Sequence, residues 1–316
     1  MTYCKRVLSI LAFSLGLILL LSGASLLFLP KNNQSEFGME EVRANGILGE
    51  REDTIDVMVV GDSEAYSSIS PMQLWRETGY TAYVAATSGQ TLDYSFLMVQ
   101  RAFQAQKPKL VILETNAVYR EIPKSKVDIS MLGKYFSVFL YHDRWKDLAW
   151  TDLTEQADYT WTDDYKGYRH SVEIQPSKDT DYMHETQETA PIPKVNLSYV
   201  EAIRDLCQEN GAQLLLLRTP STLNWSYAKY NGILDLAEEL DCPQMDMNLM
   251  NDQLQIDWNR DTRDAGDHLN AYGAAKVTRY LAGYLQETGL FQDHRSDLSY
   301  SPWQEALKRY EAATGF

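Results

Sequence analysis

Cysteine, histidine and positive charge are scarce in this 316-residue chain, which has three cysteines, five histidines and 29 Lys+Arg against 44 Asp+Glu. Three cysteines cannot build a disulfide framework, and no Cys/His cluster has the spacing of a zinc site. The net charge of −15 excludes the broad basic face that phosphate backbones require, so no nucleic-acid partner is expected. It suits neutral or cationic substrates, or simply a well-solvated surface. Long apolar runs are missing too, with one exception. Residues 7–29 are uncharged over 23 positions, enough to cross a bilayer as a helix. Lys5 and Arg6 precede the run, which puts the N-terminus in the cytoplasm and the rest outside. Ser22-Gly23-Ala24-Ser25 has the small-residue look of a signal-peptidase site, so cleavage competes with anchoring; continuation of the run to Leu29 favours an uncleaved anchor. The first 30 residues contribute +2, leaving −17 on the remainder.

What is present is a βα rhythm. Residues 31–52 are polar and read as a stalk. Residues 56–60 form a short apolar run that stops at Gly61-Asp62-Ser63, the signature of a buried parallel strand ending in a sharp turn. A helix over 71–78 starts on Pro71, a second strand covers 83–86, and a helix covers 92–105 before Lys107-Pro108. A third strand covers 110–113 and closes on Glu114-Thr115-Asn116. From about 120 to 194 the rhythm breaks into an aromatic-rich, Asp/Thr-rich insertion, read as a cap or side lobe because so long a structureless loop is improbable. The rhythm resumes with a helix over 197–209 stopped at Asn210-Gly211, a strand over 213–217 and a helix over 228–240. A short strand over 245–247, a polar loop over 261–270 and a helix over 272–288 complete it, and a tail helix covers 302–313. No internal repeat is visible. The expected class is α/β, divided into a tip and anchor at 1–30, a stalk at 31–52, a catalytic domain at 53–290 and a tail at 291–316.

Chemistry concentrates where strands end. A hydroxyl on a tight strand-to-helix turn is well placed as a nucleophile, and amides of the following helix can face an oxyanion. Ser63 has that position, although Asp62-Ser63 alone reads equally well as a helix cap. A serine needs a base, and an imidazole needs an acid to fix its tautomer. His268, on the loop entering the last main helix, lies at the same expected sheet edge, with Asp264 and Asp267 nearby. Gly89 and Asn116 follow strands two and three, where donors to a developing oxyanion belong. Each is individually an ordinary turn residue; the order Ser, Gly, Asn, His at successive strand ends is not. Asp293-His294 is a second base candidate. Asp261, Asp264 and Asp267 could offer carboxylates to a cation but lack the calcium-loop pattern. Cys207 and Cys242 lie where a disulfide is geometrically conceivable but not compelled.

These residues give the chain a resemblance to the SGNH (GDSL-type) hydrolase superfamily, threading residues 56–285. The resemblance implies a three-layer α/β/α sandwich with a mainly parallel sheet, and ester hydrolysis or acyl transfer without metal or cofactor. It assigns Ser63 as nucleophile, His268 as base, and Gly89 and Asn116 as oxyanion donors beside the Ser63 amide. Two departures stand out. The third block is Glu114-Thr115-Asn116-Ala117 where the family has Gly-x-Asn-Asp. The acid normally stands three residues before the histidine, and that position holds Ala265. Asp264 is therefore favoured as the acid with Asp267 as the alternative, since adjacent side chains on an extended loop diverge. The anchor and the His268-Leu269-Asn270 continuation are similar to a membrane-anchored branch acting in teichoic-acid D-alanyl transfer and polysaccharide O-acetylation. That similarity implies a single-pass membrane protein with an extracytoplasmic domain. Its substrate would be an envelope polysaccharide or teichoic-acid-like polymer, and its partner a membrane-bound O-acyltransferase. A non-catalytic scaffold retaining the fold is the competing expectation.

Overall fold

A computed structural model describes residues 2–123, 129, 132–133 and 135–316; residues 124–128, 130, 131 and 134 of the expected insertion lie outside it. The chain divides into two compact units, residues 1–42 with 123–160, and residues 43–122 with 161–316. The stretch read as one insertion thus contributes to both.

In the first unit, helix α1 (Thr2–Phe28) is continuous, and Tyr3–Phe28 is long and apolar enough to cross a membrane. Its large apolar side chains, such as Leu8, Phe13 and Leu20, are exposed. The segment after the insertion's start folds against its end: Ser137 Oγ donates to the Ser25 carbonyl at 3.0 Å and Arg144 Nη1 to that of Phe28 at 2.7 Å. Arg144 also pairs with Asp152 at 2.9 Å, both nearly buried. Charge assistance makes such a pair a strong local tie.

The second unit is built on five parallel strands, β1 (Val57–Gly61), β2 (Ala82–Ala86), β3 (Leu110–Glu114), β4 (Gln213–Arg218) and β5 (Gln244–Asp246), in the order β2-β1-β3-β4-β5. Almost every strand residue is buried, which is why β1 to β4 are built on continuous apolar runs rather than alternating ones. Numbering only helices of six or more residues, the others are α2 (Ser63–Ser68), α3 (Pro71–Thr78), α4 (Leu92–Ala102), α5 (Lys194–Glu209), α6 (Tyr227–Leu240), α7 (Ala271–Thr288) and α8 (Ser301–Thr314). On one face Val57, Val59, Val84, Ile112 and Leu215 pack under α2, α3 and α7 through Ala65, Leu74, Val277 and Leu281. The other face, carrying Met58, Val60, Val111 and Leu216, is equally buried, with α4 against β1 and α5 against β4. This is the α/β/α sandwich.

Residues 43–52, expected within a stalk, carry short helical turns at Val42–Asn45 and Gly46–Gly49, with Asn45 and Ile47 buried. The tail is anchored at the other end of the sheet. His294 Nε2 lies 3.0 Å from Asp56, just before β1, and its ring stacks on Tyr300 at 4.2 Å. His294 is thus at the amino-terminal edge, and its role is structural.

Candidate active site

In a 2-1-3-4-5 sheet the strand order reverses between β1 and β3, opening a crevice at their carboxyl ends. Ser63 follows β1 and Asn116 follows β3. Gly61 makes the first turn: its φ is +156°, and a Cβ there would lie 2.6 Å from Glu114 Cβ, so only glycine lets β1 end this close to β3. Asp62, fully buried, caps α2 by accepting from the Glu64 amide at 3.0 Å. Its other oxygen accepts from Asn116 Nδ2 at 2.9 Å and Arg120 Nη2 at 2.8 Å. The Ser63 hydroxyl has no hydrogen-bond partner among the described residues and is half-buried. Gly89 sits in an exposed turn at φ +61°, with Arg120 Nη1 3.8 Å from where its Cβ would be. Ser63, Gly89 and Asn116 are thereby gathered around Asp62 and Arg120.

His268 stands on a closed loop, pinned by the Thr262–Leu269 bridge and by Thr262 Oγ1 donating to the His268 carbonyl at 3.0 Å. Asp264 accepts twice, from the His268 amide and from ring Nδ1, both at 2.6 Å. Asp267 approaches Nδ1 only to 3.4 Å. Asp264 is therefore the acid paired with the imidazole. The extra residue in its spacing is absorbed by Ala265 and Gly266, both left-handed at φ +60° and +99°, which curl the chain so that Asp264 reaches back. Burial works against the imidazolium, but the Asp264 hydrogen bond and the charges of Glu64, Asp267 and Asp264 outweigh it and raise the His268 pKa. Burial likewise opposes the Asp264 carboxylate, yet its two bonds to His268 lower its pKa. Asp264, Asp267 and His268 also bring one ligand atom each within 4.8 Å of one another. Asp261 is not part of that set, being taken by Lys276 at 2.5 Å.

Beneath the serine turn lies a cluster absent from the sequence reading. Arg218, at the end of β4, donates to Glu114 at 2.5 Å and to Glu64 at 3.3 Å, all three fully buried. Glu114 is well satisfied, accepting also from the amides of Asn116 and Thr219. Glu64 has one more donor, Asn224 Nδ2 at 3.0 Å, and its Oε2 has none. One guanidinium cannot hold two buried carboxylates ionised, and the less satisfied one keeps the proton. Burial accordingly pushes Glu64 up to about 7 despite Arg218. The one available signal was a charged residue closing the run Leu214-Leu215-Leu216-Leu217, since a buried Arg must have acidic partners.

No protein-family profile matches the chain, and no curated protein does. Among solved structures it is similar to an acetyl xylan esterase, AlAXEase, at 15% identity over 74% of this chain and 99% of that one, with a TM-score of 0.39. It is also similar to the esterase EstA from a Pseudoalteromonas species, at 10% identity over 74% and 98%, with a TM-score of 0.40. A GDSL-like lipase from Bacteroides thetaiotaomicron matches at 12% identity over 73% and 88%, with a TM-score of 0.35.

Proposed function

We propose that the chain is an SGNH-type serine acyl-transfer enzyme, held at a membrane by α1, that moves or removes O-acyl groups on a cell-envelope glycopolymer. The observation that carries the reading is the double clamp of Asp264 on His268. It commits Nδ1 and leaves Nε2 as the nitrogen for proton transfer. In the first half-reaction the Ser63 hydroxyl attacks the ester carbonyl while His268 Nε2 takes its proton. The oxyanion is stabilised by the Ser63 and Gly89 amides and by the second hydrogen of the Asn116 amide, whose first is held by Asp62. His268 then protonates the departing alkoxide, leaving an acyl-Ser63 ester. In the second half-reaction His268 deprotonates water or a sugar hydroxyl, which attacks the acyl-enzyme; the acyl–oxygen bond to Ser63 breaks and His268 returns the proton to the Ser63 oxygen.

Transfer is favoured over hydrolysis because α1 would confine the site to a membrane surface, where a membrane-bound acyl donor has a high effective concentration. The acidic surface suits a neutral or cationic acceptor. The test is labelling of the full-length protein by a fluorophosphonate, followed by turnover of a small acetyl ester with and without a carbohydrate acceptor. Labelling of wild type but not of Ser63→Ala, and faster turnover with acceptor, is expected. An unlabelled wild type would favour the scaffold reading, and fast hydrolysis indifferent to acceptors would mark a deacylase.

A further inference from the structure

The segment that begins at Arg218 and follows β4 reaches both the serine helix and the histidine loop. Arg218 anchors it from below by bridging Glu64 and Glu114. Ser221 Oγ donates to the carbonyls of Gly266 at 3.1 Å and Asp267 at 2.9 Å, and the Thr222 amide donates to Gly266 at 2.9 Å. The His268 loop is thus gripped by its backbone. Asn224 completes the grip with its side chain. Its Nδ2 donates to Glu64 Oε1 at 3.0 Å and, through its second hydrogen, to Asp267 Oδ1. Both partners are carboxylate oxygens that accept, so the nitrogen of this amide, not its oxygen, must face them. The main-chain carbonyl of Asn224 accepts in turn from Lys229 Nζ at 2.7 Å.

We infer that Asn224 is a positioning residue that keeps Asp267 off the histidine while tying the serine helix to the histidine loop. The inference rests on the reading of Ser63 and His268 as nucleophile and base. Asp267 is adjacent to His268, and its Oδ2 lies 3.4 Å from Nδ1, just beyond a good hydrogen bond. What restrains it is the bond that its Oδ1 accepts from Asn224 Nδ2. With that donor gone, a small rotation would bring Asp267 onto Nδ1 in competition with Asp264, turning the ring and its Nε2. The same amide also spans the gap between Glu64, the neighbour of Ser63, and Asp267, the neighbour of His268. It thus joins the two turns that carry nucleophile and base, alongside the bond from Arg263 Nη2 to Ser67 Oγ at 2.8 Å. The charged groups around the imidazole are Asp264, Asp267 and Glu64, with Arg263 3.7 Å from Asp264.

The test uses full-length protein in detergent, with Asn224→Ala, Asp267→Ala, the double variant, and Asn231→Ala as a control. Asn231 also donates twice, to the carbonyls of Thr186 and Glu188, but away from the site. Turnover of a small acetyl ester gives kcat and KM, and histidines labelled with 15N report the His268 titration without any turnover. Asn224→Ala should lower kcat by about 10- to 100-fold, the scale of a sub-ångström to 1 Å misplacement, with KM little changed and the His268 titration moved upward. Asp267→Ala alone should cost less than about threefold, and adding it to Asn224→Ala should restore most of the lost activity, the non-additivity expected of two residues in contact. Asn231→Ala should change neither readout. Asn224→Ser, which can donate to only one of the two carboxylates, is read the same way if the alanine variant does not fold. A wild-type kcat and titration in Asn224→Ala, or a loss that Asp267→Ala does not relieve, overturns the inference. If wild type itself shows no turnover, the catalytic reading fails, and the titration alone decides the positioning role.

Discussion

Replacing Glu64 by Gln should remove a pH-dependent cost that the fold carries at neutral pH. Glutamine keeps an oxygen acceptor for Arg218 and Asn224 but never ionises, so it mimics the protonated acid. In the folded chain Glu64 holds its proton up to about 7, against 4.5 for an unperturbed glutamate. Between those values the unfolded chain has lost the proton and the folded one has not. Each step upward in pH therefore destabilises the wild type, and the loss is complete above the folded pKa. The interval corresponds to about 3 kcal/mol. Glu64→Gln and wild type should be similar in stability at pH 4 and diverge in favour of the variant by up to about that amount at pH 7.5. The assay is guanidinium unfolding of full-length protein in nonionic detergent at several pH values, taking only differences between the two proteins. A stability difference that stays constant from pH 4 to 7.5 would refute the assignment of the proton to Glu64. Above about 7, where Glu64 ionises, its charge helps hold the proton on His268, so the same variant should also shift the acid limb of activity to lower pH.

Asp264→Asn should lower kcat by about 10⁴-fold, the cost of losing the tautomer and the imidazolium's counter-charge, whereas Asp267→Asn should cost under tenfold; equal effects would contradict the 2.6 Å and 3.4 Å geometry. Asn116→Ala should lower kcat by about 10²–10³ with KM nearly constant, and a change confined to KM would make Asn116 a substrate contact instead. His268 must be neutral to act as base and its pKa is raised, so kcat/KM should climb with pH through a midpoint above 6.5 and then level off; a midpoint below 6.5 would contradict the hydrogen bond to Asp264.

The strands and helices of the sheet were legible because each is a short apolar run or a 3.6-period stripe closed by Gly, Pro or Asn. The helix on Pro71 and the one ended by Gly289 lie within a residue of expectation. The stations Ser63, Asn116 and His268 were legible because topology alone sends strand ends to one edge. Asp264 was harder, since its reach depends on two consecutive left-handed residues, one of them an alanine, for which sequence holds no reliable signal. Arg218 left one signal, a charge closing the apolar run 214–217, while the parts played by Glu64, Glu114 and Asn224 left none. Their meaning is a charge balance among residues that are 104 and 154 positions apart, and no local pattern encodes it. How the aromatic stretch divides was not legible for a similar reason: residues 123–160 group with 1–42 and residues from 161 onward with the sheet.

The guanidinium that sits between two carboxylates also sets an order of events during synthesis. Strands β1 to β3, with both acids, are translated roughly a hundred residues before Arg218. Until β4 arrives, closing that half of the sheet would bury two negative groups with no countercharge, so it must stay open or keep them protonated. The early half of the chain can therefore close its sheet only at the cost of holding both protons, until β4 supplies the guanidinium. A truncation ending before Arg218 would leave both acids without a countercharge, and should be less folded at pH 7.5 than at pH 4.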